Sequence, residues 1–132
     1  MDTIREEARE VPVASTVDVV VVGAGCAGLG AALAAARNGA RVALVERLGF
    51  LGGCVTATMM DVFWMFRAGD QKAVEGIGME LLRRLKEQGG VDGEPGYRVY
   101  VDTEKYKLLA DQMVLEAGVE LWLHALGVAP IL

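Results

Sequence analysis

An uncharged stretch of eighteen residues, Val19 to Ala36, constrains the fold of this chain more than any other segment, because glycines interrupt it. The residues before the glycines form a nearly continuous apolar run, Val17 to Val22, typical of a strand buried on both faces of a parallel sheet. Ala27 to Asn38 then favours a helix, which Gly39 is suited to end. Because Arg41 to Val45 predicts a second strand, the segment predicts a right-handed βαβ unit.

The same uncharged stretch is long enough to cross a membrane, so a membrane span has to be weighed. Four glycines crowd its middle, and a β-branched run gives way abruptly to Ala and Leu, which favours a strand, a turn and a buried helix. The formal net charge of −5 argues against nucleic acid, because phosphate binding needs a basic surface. The sequence therefore predicts neither a membrane nor a nucleic-acid partner.

The chain divides into a polar lead-in, residues 1–16, and one domain, residues 17–132, with an insertion at about 47–101. A short extended piece is expected at Val11–Val13. Hydrophobic residues make up 53% of the chain, above the usual ~45–50%. That excess reflects either a sequence rich in Ala, Val and Leu or a face that something outside this sequence covers. Two cysteines and a polar start predict a reduced, cytoplasmic setting.

The second half of the chain predicts a looser series of elements. Aromatic residues at 59–66 are expected in the core rather than in the wall of a substrate pocket. Apolar residues at helical spacing, beginning with Val74 and Ile77, predict a helix from about 74 to 88, followed by a loop over 89–98. Asp102 is suited to cap a helix over 103–117, and 119–123 predicts a third strand.

The turn after the first strand has the pattern GxGxxG, and each glycine has a mechanical reason. Gly23 permits the tight turn, Gly25 permits close approach to a pyrophosphate, and Gly28 permits close packing of helix and strand. Glu46 follows the second strand eighteen residues after Gly28, near the spacing of a carboxylate that binds ribose hydroxyls. The alternative is a βαβ unit without nucleotide, in which Glu46 is a surface charge. The pattern leaves FAD and NAD both open.

Longer runs of the sequence are similar to one family. They are Arg9–Val13, Asp18–Gly23, Glu46–Gly53, Gly76–Glu80, Glu104–Lys107 and Gly118–Leu121. These runs resemble the FAD-dependent oxidoreductases that carry Gly-Phe-Leu-Gly-Gly after the second strand. The resemblance implies an α/β, Rossmann-like FAD-binding domain with three layers around a parallel sheet. It also implies FAD as the cofactor and two-electron chemistry on a small-molecule substrate.

The resemblance also assigns FAD-binding positions. They are Gly23, Gly25, Cys26, Ala27, Gly28, Glu46, Arg47, Gly52, Gly53, Cys54 and Val128. It implies that the first glycine loop holds the pyrophosphate, that Glu46 binds the adenosine ribose and that Arg47 flanks the adenosine. The second glycine pair and Cys54 would follow the phosphates toward the flavin, and Val128 would reach adenine through its backbone. It assigns no catalytic residue, and the sequence shows no metal-ligand cluster.

The length of the sequence departs from that family, whose members continue into a β-meander, a substrate domain and a second FAD motif. We therefore expect a domain truncated after the third strand, completed by a missing C-terminal region or a second chain. One alternative is a non-catalytic nucleotide-binding fragment or subunit. Another is an enzyme of the thiazole-synthesis type, which uses the same half-site.

Five further side chains have two interpretations each. Cys54 is expected to be a packing cysteine rather than a redox thiol, since no CxxC partner follows it, and Cys26 is given no chemistry. His124, the only histidine, is expected to be structural rather than a catalytic base. Thr56 and Thr58 are expected to bond the loop backbone rather than a flavin.

Overall fold

A computed structural model describes residues 2–4, 7–64, 66–93 and 98–130. In chain order, its helices and strands are β1 (Val19–Val22), α1 (Cys26–Arg37), β2 (Val42–Val45), α2 (Cys54–Ala57), β3 (Val62–Trp64), β4 (Arg67–Ala68), β5 (Gln71–Lys72), α3 (Ile77–Glu87), β6 (Val91–Asp92), β7 (Arg98–Val101), α4 (Thr103–Glu116) and β8 (Glu120–Trp122).

The three predicted strands form one parallel sheet in the order β1-β2-β8. Helix α1 connects β1 to β2 and packs on both strands and on α3 and α4. Leu33 of α1, Leu44 of β2 and Leu109 of α4 are fully buried in the shared core. The prediction of an α/β, Rossmann-like fold with a parallel sheet is confirmed.

The prediction that β1 is buried on both faces is wrong for the described residues. Val19 and Val21 pack against the core, but Val20 and Val22 are 59% and 65% exposed. The register places them on the same side of the sheet as Val45 and Trp122, and we call these four residues the open face. Among the described residues, helices cover only the other side of the sheet. The structure therefore shows two layers, the helices and the sheet, and the expected third layer is not among these residues. The open face accounts for part of the hydrophobic excess.

The segment between β2 and α4 contains a second sheet, antiparallel and ordered β3-β7-β6, and a β4-β5 ribbon. The expectation of a buried aromatic patch at 59–66 is half right. Phe63 and Phe66 join the core, whereas Trp64 is exposed and the Arg98 guanidinium carbon lies 5.7 Å from its ring centroid. Met65 lies outside the described residues. Alternation along β3 explains the difference, because Trp64 points away from Phe63.

Element boundaries follow the local signals closely where a cap is present. The Asp102 side chain accepts hydrogen bonds from the N–H groups of Glu104 and Lys105 at 3.0 and 3.1 Å, which confirms the predicted cap of α4. Helix α3 begins three residues later than predicted because Gly76, with a φ of 76°, precedes it.

The predicted loop at 89–98 differs from the structure. It contains β6, which pairs with β7, and Arg98, the first residue of β7, which pairs with Trp64 of β3; residues 94–97 lie outside the described residues. Val11–Val13 is exposed and belongs to no strand, and its extended conformation stays a prediction. Within the described residues, no helix is long and apolar enough to span a membrane.

Candidate functional site

The first glycine loop connects β1 to α1 and depends on glycine at two positions. Gly23 has a φ of 94°, which favours glycine. A Cβ on Gly28 would come 1.8 Å from the Gly23 carbonyl oxygen, so only glycine fits there. Gly25 is the N-cap of α1, and no described side chain caps this helix. The N–H groups of its first turn therefore face outward at the positive end of the helix dipole.

A second glycine pair, Gly52 and Gly53, lies directly against the first loop. The Gly52 N–H donates to the Ala24 carbonyl oxygen at 2.8 Å, and Gly52 forms a parallel bridge with Gly25. A Cβ on Gly53 would come 2.7 Å from the Gly25 Cα, and both residues of the pair have positive φ. The two glycine runs that the sequence shows separately thus form one bare backbone surface beside the N-terminus of α1.

Glu46 follows β2 and lies under the first loop. Its side chain is 7% exposed; one carboxylate oxygen accepts the Ala24 N–H at 2.7 Å and the other accepts the Leu48 N–H at 2.8 Å. Glu46 is therefore not the surface charge of the alternative interpretation. A carboxylate oxygen can accept more than one hydrogen bond, so capacity for a ligand hydroxyl remains.

Glu46 lines a cavity of about 120 Å³ together with residues that the sequence did not single out. Arg47 lines the same cavity, and so do Ala125, Leu126 and Gly127. Ala125 is held there by its N–H, which donates to the Glu46 carbonyl oxygen at 3.0 Å. The signal in the sequence that could have pointed to these residues was Gly127, a glycine a few positions after the third strand.

Val128 follows Gly127, the last of the cavity-lining residues in the chain. It is exposed and lines an adjoining groove of about 630 Å³ with Val20, Val22 and Pro130. The cavity and the groove share Val22 and Gly127, and the adenine contact of Val128 stays a prediction.

Both cysteines are exposed, which contradicts the expectation that Cys54 is a packing residue. Cys26 and Cys54 are the first residues of α1 and α2, and each follows one of the contacting glycines. The Cys26 sulfur lies 3.7 Å from the hydroxyl oxygen of Tyr106, a residue that sequence reasoning missed. Burial raises the pKa of the Tyr106 hydroxyl, and the Cys26 and Cys54 thiols raise it further.

The expectation for the two threonines agrees with the structure. The Thr56 hydroxyl donates to the Leu51 carbonyl oxygen and the Thr58 hydroxyl to that of Cys54, both at 2.7 Å, so both threonines bond the loop backbone. The exposed His124 has its ring beside Gly49, and its structural role stays a prediction. Among the residues that the structure describes, no group of three or more His, Cys, Asp or Glu side chains could hold a metal ion.

An ion pair joins the start of β1 to the start of β2. The Arg41 guanidinium donates to both carboxylate oxygens of Asp18, at 2.7 and 3.1 Å. These hydrogen bonds lower the pKa of Asp18 to about 2. The pair lies just before the two strands from which the glycine loop and Glu46 emerge.

A parallel sheet, a glycine loop opening a helix and an acid after the second strand define a dinucleotide-binding α/β domain. The model of the family described as FAD dependent oxidoreductase matches residues 18–131. The chain therefore belongs to the FAD dependent oxidoreductase family, and its cofactor is FAD. This confirms the resemblance stated from the sequence.

Three similar proteins are longer than this chain. A urocanate reductase from Eggerthella lenta is 65% identical over 37 residues, 28% of this chain and 6% of that protein. The crystal structure of Thermovibrio ammonificans THI4 has a TM-score of 0.53 at 24% identity, covering 81% of this chain and 38% of that one. A geranylgeranyl bacteriochlorophyll reductase-like protein from Thermoplasma acidophilum has a TM-score of 0.52 at 16% identity, covering 82% and 30%. Both structures share the fold, and the chain spans less than half of each.

Proposed function

We propose that this chain supplies the adenosine diphosphate end of the FAD site in a flavin-dependent oxidoreductase that performs two-electron chemistry. The observation that carries the proposal is the contact between Gly25 and the Gly52–Gly53 pair beside the uncapped N-terminus of α1. Bare backbone and free N–H groups at a helix N-terminus suit a pyrophosphate. When bound, FAD supplies the redox chemistry, and the protein supplies position and electrostatics.

The first loop and Glu46 would bind different parts of the cofactor. The N–H groups of Ala27 and Gly28, in the first turn of α1, would donate to the pyrophosphate. Glu46 would accept from ribose hydroxyls at the cavity that it shares with Arg47. Because its carboxylate would repel a 2′-phosphate, the site favours FAD over NADPH.

Two observations support a larger assembly. One is the apolar open face, and the other is that this chain spans only part of the length of similar proteins. Val20 and Val22 are apolar and exposed, and surfaces of this kind are usually covered in a working protein. We propose that a C-terminal region or a second chain covers this face, completes the flavin site and brings the small-molecule substrate. We also propose a cytoplasmic location, in keeping with two free cysteines. The likeness to THI4 is one of fold, so it does not favour the thiazole-synthesis alternative.

Substitution of Gly25 tests the proposal directly. Its φ of −71° suits any residue, and a Cβ there would meet only the Gly53 Cα, at an ordinary 3.8 Å. Gly25→Asp should fold normally, because Asp is a favoured N-cap. It also places a negative charge where the pyrophosphate would bind.

The matched control is Gly25→Asn, which caps the helix equally well without the charge. We expect Gly25→Asp to bind ADP about tenfold more weakly than Gly25→Asn in calorimetric titrations, with both variants at least as stable as the parent chain. Equal ADP affinity in the parent chain and both variants would contradict the proposal.

A further inference from the structure

The two cysteines of the chain are neighbours in the fold although 28 positions separate them in the sequence. Each follows an N-cap glycine, Gly25 for Cys26 and Gly53 for Cys54. Those glycines are in contact, since a Cβ on Gly53 would come 2.7 Å from the Gly25 Cα. The thiols thus begin one residue beyond the closest approach of two backbone segments, and both are exposed.

Tyr106 provides a second, independent indication that the thiols share one location. Its side chain is 2% exposed, and its hydroxyl meets the Cys26 sulfur at 3.7 Å. Its ring also approaches the other loop, because a Cβ on Gly52 would come 3.0 Å from the ring. One buried phenol therefore contacts Cys26 and lies beside the loop that carries Cys54.

We propose that Cys26 and Cys54 form a reversible redox pair whose disulfide bridges the two glycine loops and excludes the pyrophosphate of the nucleotide. The exclusion rests on the proposed function, since a bridge between the first residues of α1 and α2 would span the bare glycine surface assigned there to the pyrophosphate. A disulfide holds its two Cβ atoms about 3.8 Å apart, which leaves no room for a phosphate between them.

The oxidant is a low-molecular-weight disulfide such as glutathione disulfide, and the exchange balances in two steps. One cysteine thiolate attacks a sulfur of glutathione disulfide, forms a mixed disulfide and releases one glutathione thiolate. The second cysteine thiolate then attacks the protein sulfur of the mixed disulfide and releases the second glutathione. The protein loses two electrons and two protons, and the two glutathione molecules gain them.

The pairing is tested without any nucleotide. The chain is incubated with glutathione disulfide, and its intact mass and free thiols are measured. We expect a loss of about 2 Da with no free thiol left, because a close pair resolves its mixed disulfide. The variants Cys26→Ser and Cys54→Ser should each retain one bound glutathione instead. Two stable glutathione adducts on the parent chain, or a disulfide-linked dimer on a non-reducing gel, would overturn the proposal.

The exclusion is tested with ADP as the probe, on reduced and oxidised samples of the parent chain. Oxidation should weaken ADP binding by about tenfold or more, and dithiothreitol should restore it. By linkage, saturating ADP should shift the thiol–disulfide equilibrium of the chain toward the reduced form by the same factor. Equal ADP affinity of the reduced and disulfide-bonded chains would overturn the exclusion. A reduced chain that binds no ADP would instead refute the proposed function, while the loss of about 2 Da would still decide the pairing.

Discussion

Replacement of Glu46 by alanine should destabilise the fold, because this carboxylate holds the first glycine loop in place. It accepts the Ala24 and Leu48 N–H groups at 2.7 and 2.8 Å in a site where it is 7% exposed. Hydrogen bonds to a charged group contribute about 1.5–3 kcal/mol each, and water regains part of that when the partner is removed. We therefore expect Glu46→Ala to lower the free energy of unfolding by about 2–4 kcal/mol.

Glu46→Gln separates the two bonds, since the amide keeps one accepting oxygen and places an NH₂ against the other N–H. Its cost should be about half that of alanine or somewhat more. The assay is urea denaturation followed by circular dichroism. Glu87→Ala, at an exposed position near the end of α3, is the control and should change the free energy of unfolding by less than about 0.5 kcal/mol. A Glu46→Ala variant as stable as this control would refute the reasoning.

Three other substitutions test separate parts of the structure. Gly28→Ala should lower the free energy of unfolding by about 3 kcal/mol or more, because its Cβ would meet the Gly23 carbonyl oxygen. Gly30→Ala, on the same helix but facing open space, should leave that free energy unchanged or raise it. Thermal denaturation measures both. An NMR titration should give the Asp18 carboxyl a pKa of about 2 in the parent chain and a pKa near its ordinary value of 3.8 in Arg41→Gln. The ion pair therefore stabilises the fold fully above pH 3.8, and this stabilisation is lost as the pH falls toward 2. We expect the isolated chain to self-associate through the apolar open face, and Val20→Lys should reduce this association in sedimentation velocity; an unchanged distribution would argue against that face.

The sequence predicted the parts of the fold that local signals determine. The βαβ unit follows from an apolar run, a glycine turn and a helix that ends near Gly39, and the cap of α4 follows from Asp102 alone. These features depend on residues within one turn or strand. Their physical causes, namely backbone freedom, capping and periodicity, can be recognised without knowing the tertiary structure.

The rest depends on contacts between distant segments. Whether Val20 and Val22 are exposed depends on what packs against their side of the sheet, and a run of valines in the sequence does not reveal this. The nearness of Cys26 to Cys54 follows from the Gly25–Gly53 contact and appears in no spacing pattern. Glu46 fits the expected position, but its inward hydrogen bonds could be found only from the structure.

The measurement that tests the central claim most directly is a calorimetric titration of the reduced chain with FAD, ADP-ribose and NADPH. If the glycine loops and Glu46 form the adenosine diphosphate end of an FAD site, FAD and ADP-ribose should bind with similar affinity. NADPH should bind at least about tenfold more weakly, because its 2′-phosphate would lie beside the Glu46 carboxylate. Tighter binding of NADPH than of FAD would contradict the account.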